Sequence, residues 1–305
     1  MEFKHFELIL EDPKIFLIYG ENNAKYPYSN SVLIDDILID TGCSKTIIKT
    51  LIKEFKINKI LLTHWHEDHI SGNALFLKNP VKYNFFSSEK DAIPIQNVSE
   101  IIKLYNVVGT PIEEQFNAFL SSFRLKNCSI NKYLKDNDVI ETINGHKIIS
   151  ILTPGHSAGH LCFYIPKLKF LFSGDIEFSS FGPWYGCLDS NLEDFENSIN
   201  KLKKMDIEKI FSGHYKFIDS KEIIKEKFNY LEKIIQERDV AILSELSKTN
   251  PKEPKDLLDK KIIYKKYNFF KEYLLIAEEI MIKNHLRKLL NKNLISKKEN
   301  GFVLN

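Results

Sequence analysis

Short runs of β-branched and aromatic residues recur between turn formers along the first two thirds of the chain. They cover Ile15 to Tyr19, Ser31 to Ile34, Ile37 to Ile39, Lys59 to Thr63, Ile148 to Leu152, Leu161 to Ile165, Phe170 to Phe172 and Lys209 to Phe211. Runs of this length and composition predict strands, and most of them end in a cluster of Gly, Asp or His. Between Ser88 and Leu134 the apolar residues take helical spacing instead, over Ser99 to Val107 and Ile112 to Phe123. That stretch reads as a helical insertion covering one side of the molecule. Ser190 followed by Glu193 forms a capping box, which predicts a helix from about Asn191 to Lys204.

From about Lys221 the pattern lengthens into Lys/Glu-rich amphipathic helices, predicted at Glu222 to Ser247 and Phe269 to Asn291 with a shorter one near Lys255 to Lys260. Two apolar runs then flank Asn300-Gly301 between Leu294 and Leu304, a hairpin signal. This pattern fits a packed α/β or α+β domain over residues 1–220, the α+β class being favoured, followed by a small winged-helix-like domain over 221–305.

Composition narrows the class. A chain of 305 residues with 43% hydrophobic residues and a net charge of +2 buries a sizeable core and is not disordered. Met1 to Gly20 lacks an uninterrupted apolar core, and no later stretch is long enough to span a bilayer, so a cytoplasmic location and no membrane partner are expected. The four cysteines, Cys43, Cys128, Cys162 and Cys187, show no C-x-x-C spacing, which argues against a zinc finger or a disulfide framework. Charge is uneven: residues 221–305 carry 19 Lys and Arg against 13 Asp and Glu, a hint of an anionic partner.

Chemistry concentrates in Thr63-His64-Trp65-His66-Glu67-Asp68-His69, directly after an apolar strand. A turn of this kind can aim His64 and His66 to one side and Asp68 and His69 to the other, giving two adjacent metal positions. Three further donors follow apolar strands, each beside a glycine that lets the backbone turn sharply. They are His156 in Thr153-Pro154-Gly155-His156, Asp175 in Ser173-Gly174-Asp175 and His214 in Ser212-Gly213-His214.

This pattern, H-x-H-x-D-H followed by a distant His, Asp and His, resembles the metallo-β-lactamase superfamily over about Ile15 to Ile218. The resemblance implies an αβ/βα four-layer sandwich with two metal ions at one edge of the sheets. It implies that His64, His66 and His156 hold the first ion, that Asp68, His69 and His214 hold the second, and that Asp175 bridges them. The ions expected are zinc, with iron or manganese as alternatives. Such a pair lowers the pKa of a shared water and stabilises the developing oxyanion, and Asp68 is the candidate to accept the proton of that water. Asp40, in Ile39-Asp40-Thr41-Gly42, matches another superfamily motif and is a candidate partner for a ligand histidine. His160 is assigned a structural hydrogen bond, Pro183, Trp184 and Tyr185 part of a pocket wall, and His5, His146 and His285 the surface.

Departures from neighbouring families narrow the function. Asp175 stands where the antibiotic-hydrolysing zinc lactamases have a Cys, and His66 stands where the flavodiiron oxygen reductases have a Glu. The interval from Asp175 to His214 is too short for the inserted domain of the superfamily's RNA-processing and DNA-repair nucleases. What remains is a metallohydrolase of the glyoxalase II-like, lactonase-like or β-lactamase-like endoribonuclease group, acting on a small ester-like substrate, a thioester or lactone. The alternatives are a single-stranded RNA endonuclease and a nucleic-acid-binding regulator whose metallohydrolase domain is not catalytic. An intact ligand set speaks against the regulator. For the tail, a basic helix face carrying Lys283, Arg287, Lys288 and Lys292 would engage RNA phosphates; the competing roles are a helical cap over the pocket and a homodimer contact.

Overall fold

The apolar runs build two sheets. In the computed structural model, which describes residues 4–258, 260–267 and 269–305, β1 (Phe6–Glu11), β2 (Lys14–Ile18), β3 (Ser31–Ile34), β4 (Ile37–Ile39), β5 (Lys59–Leu61), β6 (Asn84–Ser88) and β7 (Lys132–Leu134) lie side by side in chain order. The second sheet holds β8 (Val139–Glu141), β9 (Lys147–Leu152), β10 (Leu161–Ile165), β11 (Phe170–Phe172), β12 (Lys209–Ser212) and β13 (Tyr215–Ile218), in the order β13-β12-β11-β10-β9-β8. The strands β4 to β7 pair in parallel, as do β11 and β12. β3, β4 and β11 are buried at every position, as expected for strands covered on both sides.

Each sheet turns one face to the other and one to helices. Ile15, Val32, Ile37 and Leu61 meet Leu161, Phe163, Phe172 and Phe211 in the core between the sheets. Outside the first sheet, helix Lys45–Glu54 and the insertion enclose Ile48, Leu51, Ile60, Trp65 and Phe116. Outside the second, helices Leu192–Lys203, Lys221–Glu245 and Lys271–Asn291 enclose Leu171, Phe195, Leu231, Ile235, Met281 and Leu286 in one continuous cluster. Helix, sheet, sheet and helix are the four layers of the metallo-β-lactamase sandwich anticipated from the motif.

Strand direction then gathers the chemistry. β4 and β5 run together, and β9 and β11 share a direction because both are antiparallel to β10. Asp40, His64, Thr153, Asp175 and His214 all follow the C-terminal ends of such strands, where an open α/β sheet leaves a crevice.

Several details depart from the sequence expectation. The strands β1, β6, β7, β8 and β13 fall outside the runs read from the sequence; β1 carries a register shift between Leu8 and Leu10, and β7 and β8 are three residues long. In the insertion, the helix expected over Ser99 to Val107 narrows to Ile101–Leu104, because Asn106 takes a left-handed conformation. The 3-10 turn Pro254–Leu257 replaces the short helix expected near Lys255 to Lys260, of which Asp259 lies outside the described residues. The tail closes on the hairpin β14 (Ile295–Lys298) and β15 (Gly301–Leu304), with Lys252 bridged to Phe302 alongside.

Two placements in the tail are corrected. His285 is not on the surface: it is 0% exposed, with Tyr185 Oη 2.7 Å from Nε2 and Asp239 Oδ1 2.6 Å from Nδ1. Lys288 is likewise withdrawn from the basic face, since it is 1% exposed and its ammonium pairs with Glu196 and Asp239 at 2.7 and 2.6 Å. Burying a charge demands such partners, and both come from distant helices. Among the described residues, no helix is long and apolar enough to cross a membrane.

Candidate metal centre

The turn after β5 is held rigidly before any metal is considered. Trp65 is fully buried and its indole N–H donates to Asp189 Oδ2 at 3.0 Å. Behind the turn, the Thr41 amide and hydroxyl both donate to the His69 carbonyl, at 2.8 and 3.2 Å, and Ser29 Oγ donates to the Asp68 carbonyl at 2.9 Å. Gly42 permits this contact, because a Cβ there would lie 1.4 Å from the Asp68 carbonyl oxygen.

All seven candidate ligands converge, in two groups. His64, His66, His156 and Asp175 form one, and Asp68, His69 and His214 the other; within each, the ligating atoms lie within 4.8 Å of one another. His156 Nε2 is 3.2 Å from His64 Nε2 and 2.9 Å from His66 Nδ1, and His214 Nε2 is 3.3 Å from His69 Nε2 and 3.2 Å from Asp68 Oδ2. Asp175 stands between the groups: its Oδ2 is 3.3 Å from His156 Nε2 and its Oδ1 is 3.0 Å from His69 Nε2.

The far ring nitrogens decide what these atoms can do. His156 Nδ1 donates to the Trp184 carbonyl at 2.9 Å, His214 Nδ1 to the Ala24 carbonyl at 2.7 Å and His69 Nδ1 to Asp40 Oδ2 at 2.7 Å. His64 Nδ1 lies 2.9 Å from Thr63 Oγ1, whose hydroxyl donates to Asp40 Oδ2 at 2.8 Å. His66 instead turns Nε2 to Cys187 Sγ at 3.6 Å and leaves Nδ1 for the cluster. Each outer bond fixes which nitrogen faces the cluster, so in the neutral imidazoles every inward nitrogen presents a lone pair. Lone pairs facing one another and a carboxylate at about 3 Å repel unless a cation lies between them. Asp175 Oδ1, buried and without a hydrogen-bond partner, is the sharpest sign of that need. The donor set of imidazole and carboxylate fits divalent metal.

Electrostatics agree. Burial, with neighbouring imidazoles adding to it, holds His64 and His66 well below the usual histidine range, so their lone pairs are free. In the second group burial pulls the same way, but Asp175 and then Asp40 outweigh it and lift His69 to about 10. Positive charge is favoured where a cation would sit. His160 serves the frame: its Nε2 accepts from the Asp175 amide at 3.0 Å, and burial pushes it down to about 3, which keeps it neutral.

Above the ligands opens a cavity of about 430 Å³. Its walls are aromatic, from the insertion (Tyr105, Phe116, Phe119), the loop after β11 (Phe181, Trp184) and the tail (Tyr264, Phe269, Tyr273). Lys25 is the one cation among the described lining residues. Of the predicted wall residues, Trp184 lines the cavity, whereas Tyr185 turns away to His285 and Arg238. Sequence reading missed Glu67, which is buried at the cavity floor and accepts from the hydroxyls of Tyr26 and Tyr105. Burial, and after it Asp68, pushes its carboxyl up to about 7. Its position between two ligands was the available signal; its tyrosines, 41 and 38 residues away, gave none.

Residues 26–214 match the family model of the metallo-beta-lactamase superfamily. A hydroxyacylglutathione hydrolase of Buchnera aphidicola is 30% identical over 202 residues, which cover 65% of this chain and 59% of that protein, so the chain spans less than two thirds of that relative's length. An acyl-coenzyme A thioesterase of Homo sapiens is 26% identical over 218 residues, 65% of this chain and 75% of that one. The crystal structure of a metallo-beta-lactamase family protein from Thermus thermophilus superposes with a TM-score of 0.69 at 18% identity, covering 100% of both chains.

Proposed function

We propose that this chain, which belongs to the metallo-β-lactamase superfamily, hydrolyses thioesters whose acyl group is apolar. Its class, a metallo-β-lactamase-fold hydrolase, follows from the family and its hydrolase relatives. The finer reading is carried by one observation: the seven candidate ligands floor a cavity whose walls are aromatic and whose volume, about 430 Å³, suits one acyl group.

In this reading two divalent ions, zinc by donor type with iron or manganese as alternatives, would supply a nucleophilic water near neutral pH and polarise the acyl carbonyl. The chain's own residues do the rest. His64, His66 and His156 would hold one ion, Asp68, His69 and His214 the other, with Asp175 shared. Asp68 Oδ2, at the edge of the second group, accepts the proton of the attacking water. Asp40 keeps the His69 and His64 lone pairs turned inward. The aromatic walls bind the acyl chain by burial and exclude bulk water around the carbonyl.

Lactones share the acyl chemistry and remain within the same cavity's reach. The RNA endonuclease reading is weaker here, because among the described lining residues a strand crossing the centre would find only Lys25 to meet its phosphates. The test is a panel of acyl thioesters, lactones and a single-stranded RNA offered to zinc-loaded protein beside a His66→Ala control. Thioester turnover that rises with acyl length and disappears in the control is expected. RNA cleavage lost in the control, without thioester turnover, would overturn the proposal.

A further inference from the structure

A second hollow lies behind the wall of the catalytic cavity. Its volume is about 770 Å³, and its described lining residues include Lys45, Lys49, Lys78, Arg124 and Lys126 and no Asp or Glu. The chain as a whole is near parity, with 43 Lys and Arg against 41 Asp and Glu. Several exposed lysines elsewhere find acids, as Lys53 does Glu54, Lys103 Glu100, Lys201 Asp136 and Lys283 Glu279. Among the described residues, none of the five groove cations makes a side-chain hydrogen bond or ion pair. A concave surface carrying five uncompensated positive charges focuses potential and recruits anions.

The groove and the catalytic cavity share one helix, Glu113–Ser122. Phe116 and Phe119 face the cavity, while Asn117, Leu120 and Ser121 face the groove, so the two are separated by the width of a helix, roughly 10 Å. Tyr26 stands at the divide. It lines the cavity, and its ring lies 6.2 Å from Phe119 and 6.2 Å from Phe123, which itself lines the groove. A molecule with one end at the metal centre and a flexible arm over Tyr26 would bring its other end among the cations.

Resting on the thioester reading above, we propose that the groove binds the phosphate-bearing end of a nucleotide carrier whose thiol is the leaving group, of which coenzyme A is the available example. The chemistry fits at both ends. An acyl group needs the apolar cavity, and a bisphosphorylated nucleotide needs several cations with no competing carboxylate. A polymeric RNA fits less well, because among the described residues lining the cavity over the centre Lys25 alone is a cation.

Two measurements test this. The first is equilibrium binding of adenosine 3′,5′-bisphosphate, with inorganic phosphate at equal ionic strength as comparison. Binding is expected to weaken with salt and to fall at least about tenfold in Lys49→Glu/Lys126→Glu, with Lys49→Ala/Lys126→Ala falling less. The exposed positions and an unchanged melting temperature would verify folding. The second is the ratio of kcat/KM for an acyl-coenzyme A over the matching N-acetylcysteamine thioester, which has the same acyl group and no phosphate. The ratio should exceed about tenfold in the native protein and collapse toward one in the charge-reversed variant.

Nucleotide binding no tighter than that of inorganic phosphate, or unaltered by charge reversal, overturns the proposal. So do equal kcat/KM values for the two thioesters, turnover confined to a carrier-protein thioester, or tighter binding of a single-stranded oligonucleotide at the same lysines. Nucleotide binding at the groove without turnover of either thioester would instead sink the thioester reading and leave the groove in place.

Discussion

Asp40→Asn isolates the frame of the metal centre from its ligands. The site is suited to this exchange, because Asp40 has a φ of 58°, a left-handed conformation that Asn tolerates and most residues do not. Backbone strain therefore stays nearly constant. The hydrogen bonds do not. Asp40 accepts three, from the Thr63 amide at 2.8 Å, the Thr63 hydroxyl at 2.8 Å and His69 Nδ1 at 2.7 Å. Asn can satisfy the amide with its oxygen, but its NH₂ then points at two donors. His69 escapes the clash by moving its proton to Nε2, and the Thr63 hydroxyl escapes by donating to His64 Nδ1, which moves the His64 proton inward as well. Each shift replaces a lone pair at the proposed metal positions by an N–H. The loss of an outer partner of this kind weakens metal binding by about 10- to 100-fold, or roughly 1.4 to 2.7 kcal/mol. Zinc competition against a chromophoric chelator reads the affinity, and nitrogen chemical shifts of the imidazoles read the tautomers. Wild-type affinity for both metal equivalents, with Nδ1–H retained on His69, would refute the reasoning.

Three further outcomes are expected. Asp68→Ala should abolish turnover; substantial turnover at full metal content would remove Asp68 as proton acceptor and leave the activity to the other residues. Gly213→Ala should lower metal content, since its Cβ would lie 2.6 Å from both Asp175 Oδ1 and His69 Cε1, and a metal analysis matching the native protein would show that this approach is not needed. Lys288→Met should lower stability by about 2 kcal/mol, less than a fully buried pair because Asp239 keeps His285 as partner and Glu196 is partly exposed. Chemical denaturation measures that loss, and a drop in RNA affinity at unchanged stability would return Lys288 to the role first read from the sequence.

What was readable in the sequence follows from how few residue types a metal accepts. His64, His66, Asp68 and His69 stand within one turn, and His156, Asp175 and His214 each follow a glycine after an apolar strand, so local pattern was enough to nominate them. The buried strands were readable for a related reason, because β4 and β11 are apolar throughout and β3 is apolar after Ser31. The tail was not. His285 and Lys288 sit in a helix whose charges look like any solvated face, and their partners lie 46 to 100 residues away in sequence. Helical spacing in Glu113–Ser122 showed that a face is apolar without showing that Phe119 borders an open cavity rather than a core.

That division has a consequence for how the site works. Every proposed ligand and Asp40 follow the sheets, whose strands are locked by long-range pairing, whereas most of the cavity wall comes from two segments outside them. These segments touch through aromatic rings. Tyr273 of the tail packs on Phe116 at 4.8 Å and on Tyr105 at 5.5 Å, and Phe270 stacks on Phe116 at 5.8 Å. Rings of this size contribute about 0.5 to 1.5 kcal/mol per pair beyond their burial, enough to hold the wall without rigidly fixing it. If the proposed function holds, the chemistry and the selectivity of this hydrolase are carried by different parts of the chain. Substitutions at the seam between insertion and tail should change which acyl group is accepted while the sheets keep the metal donors in register.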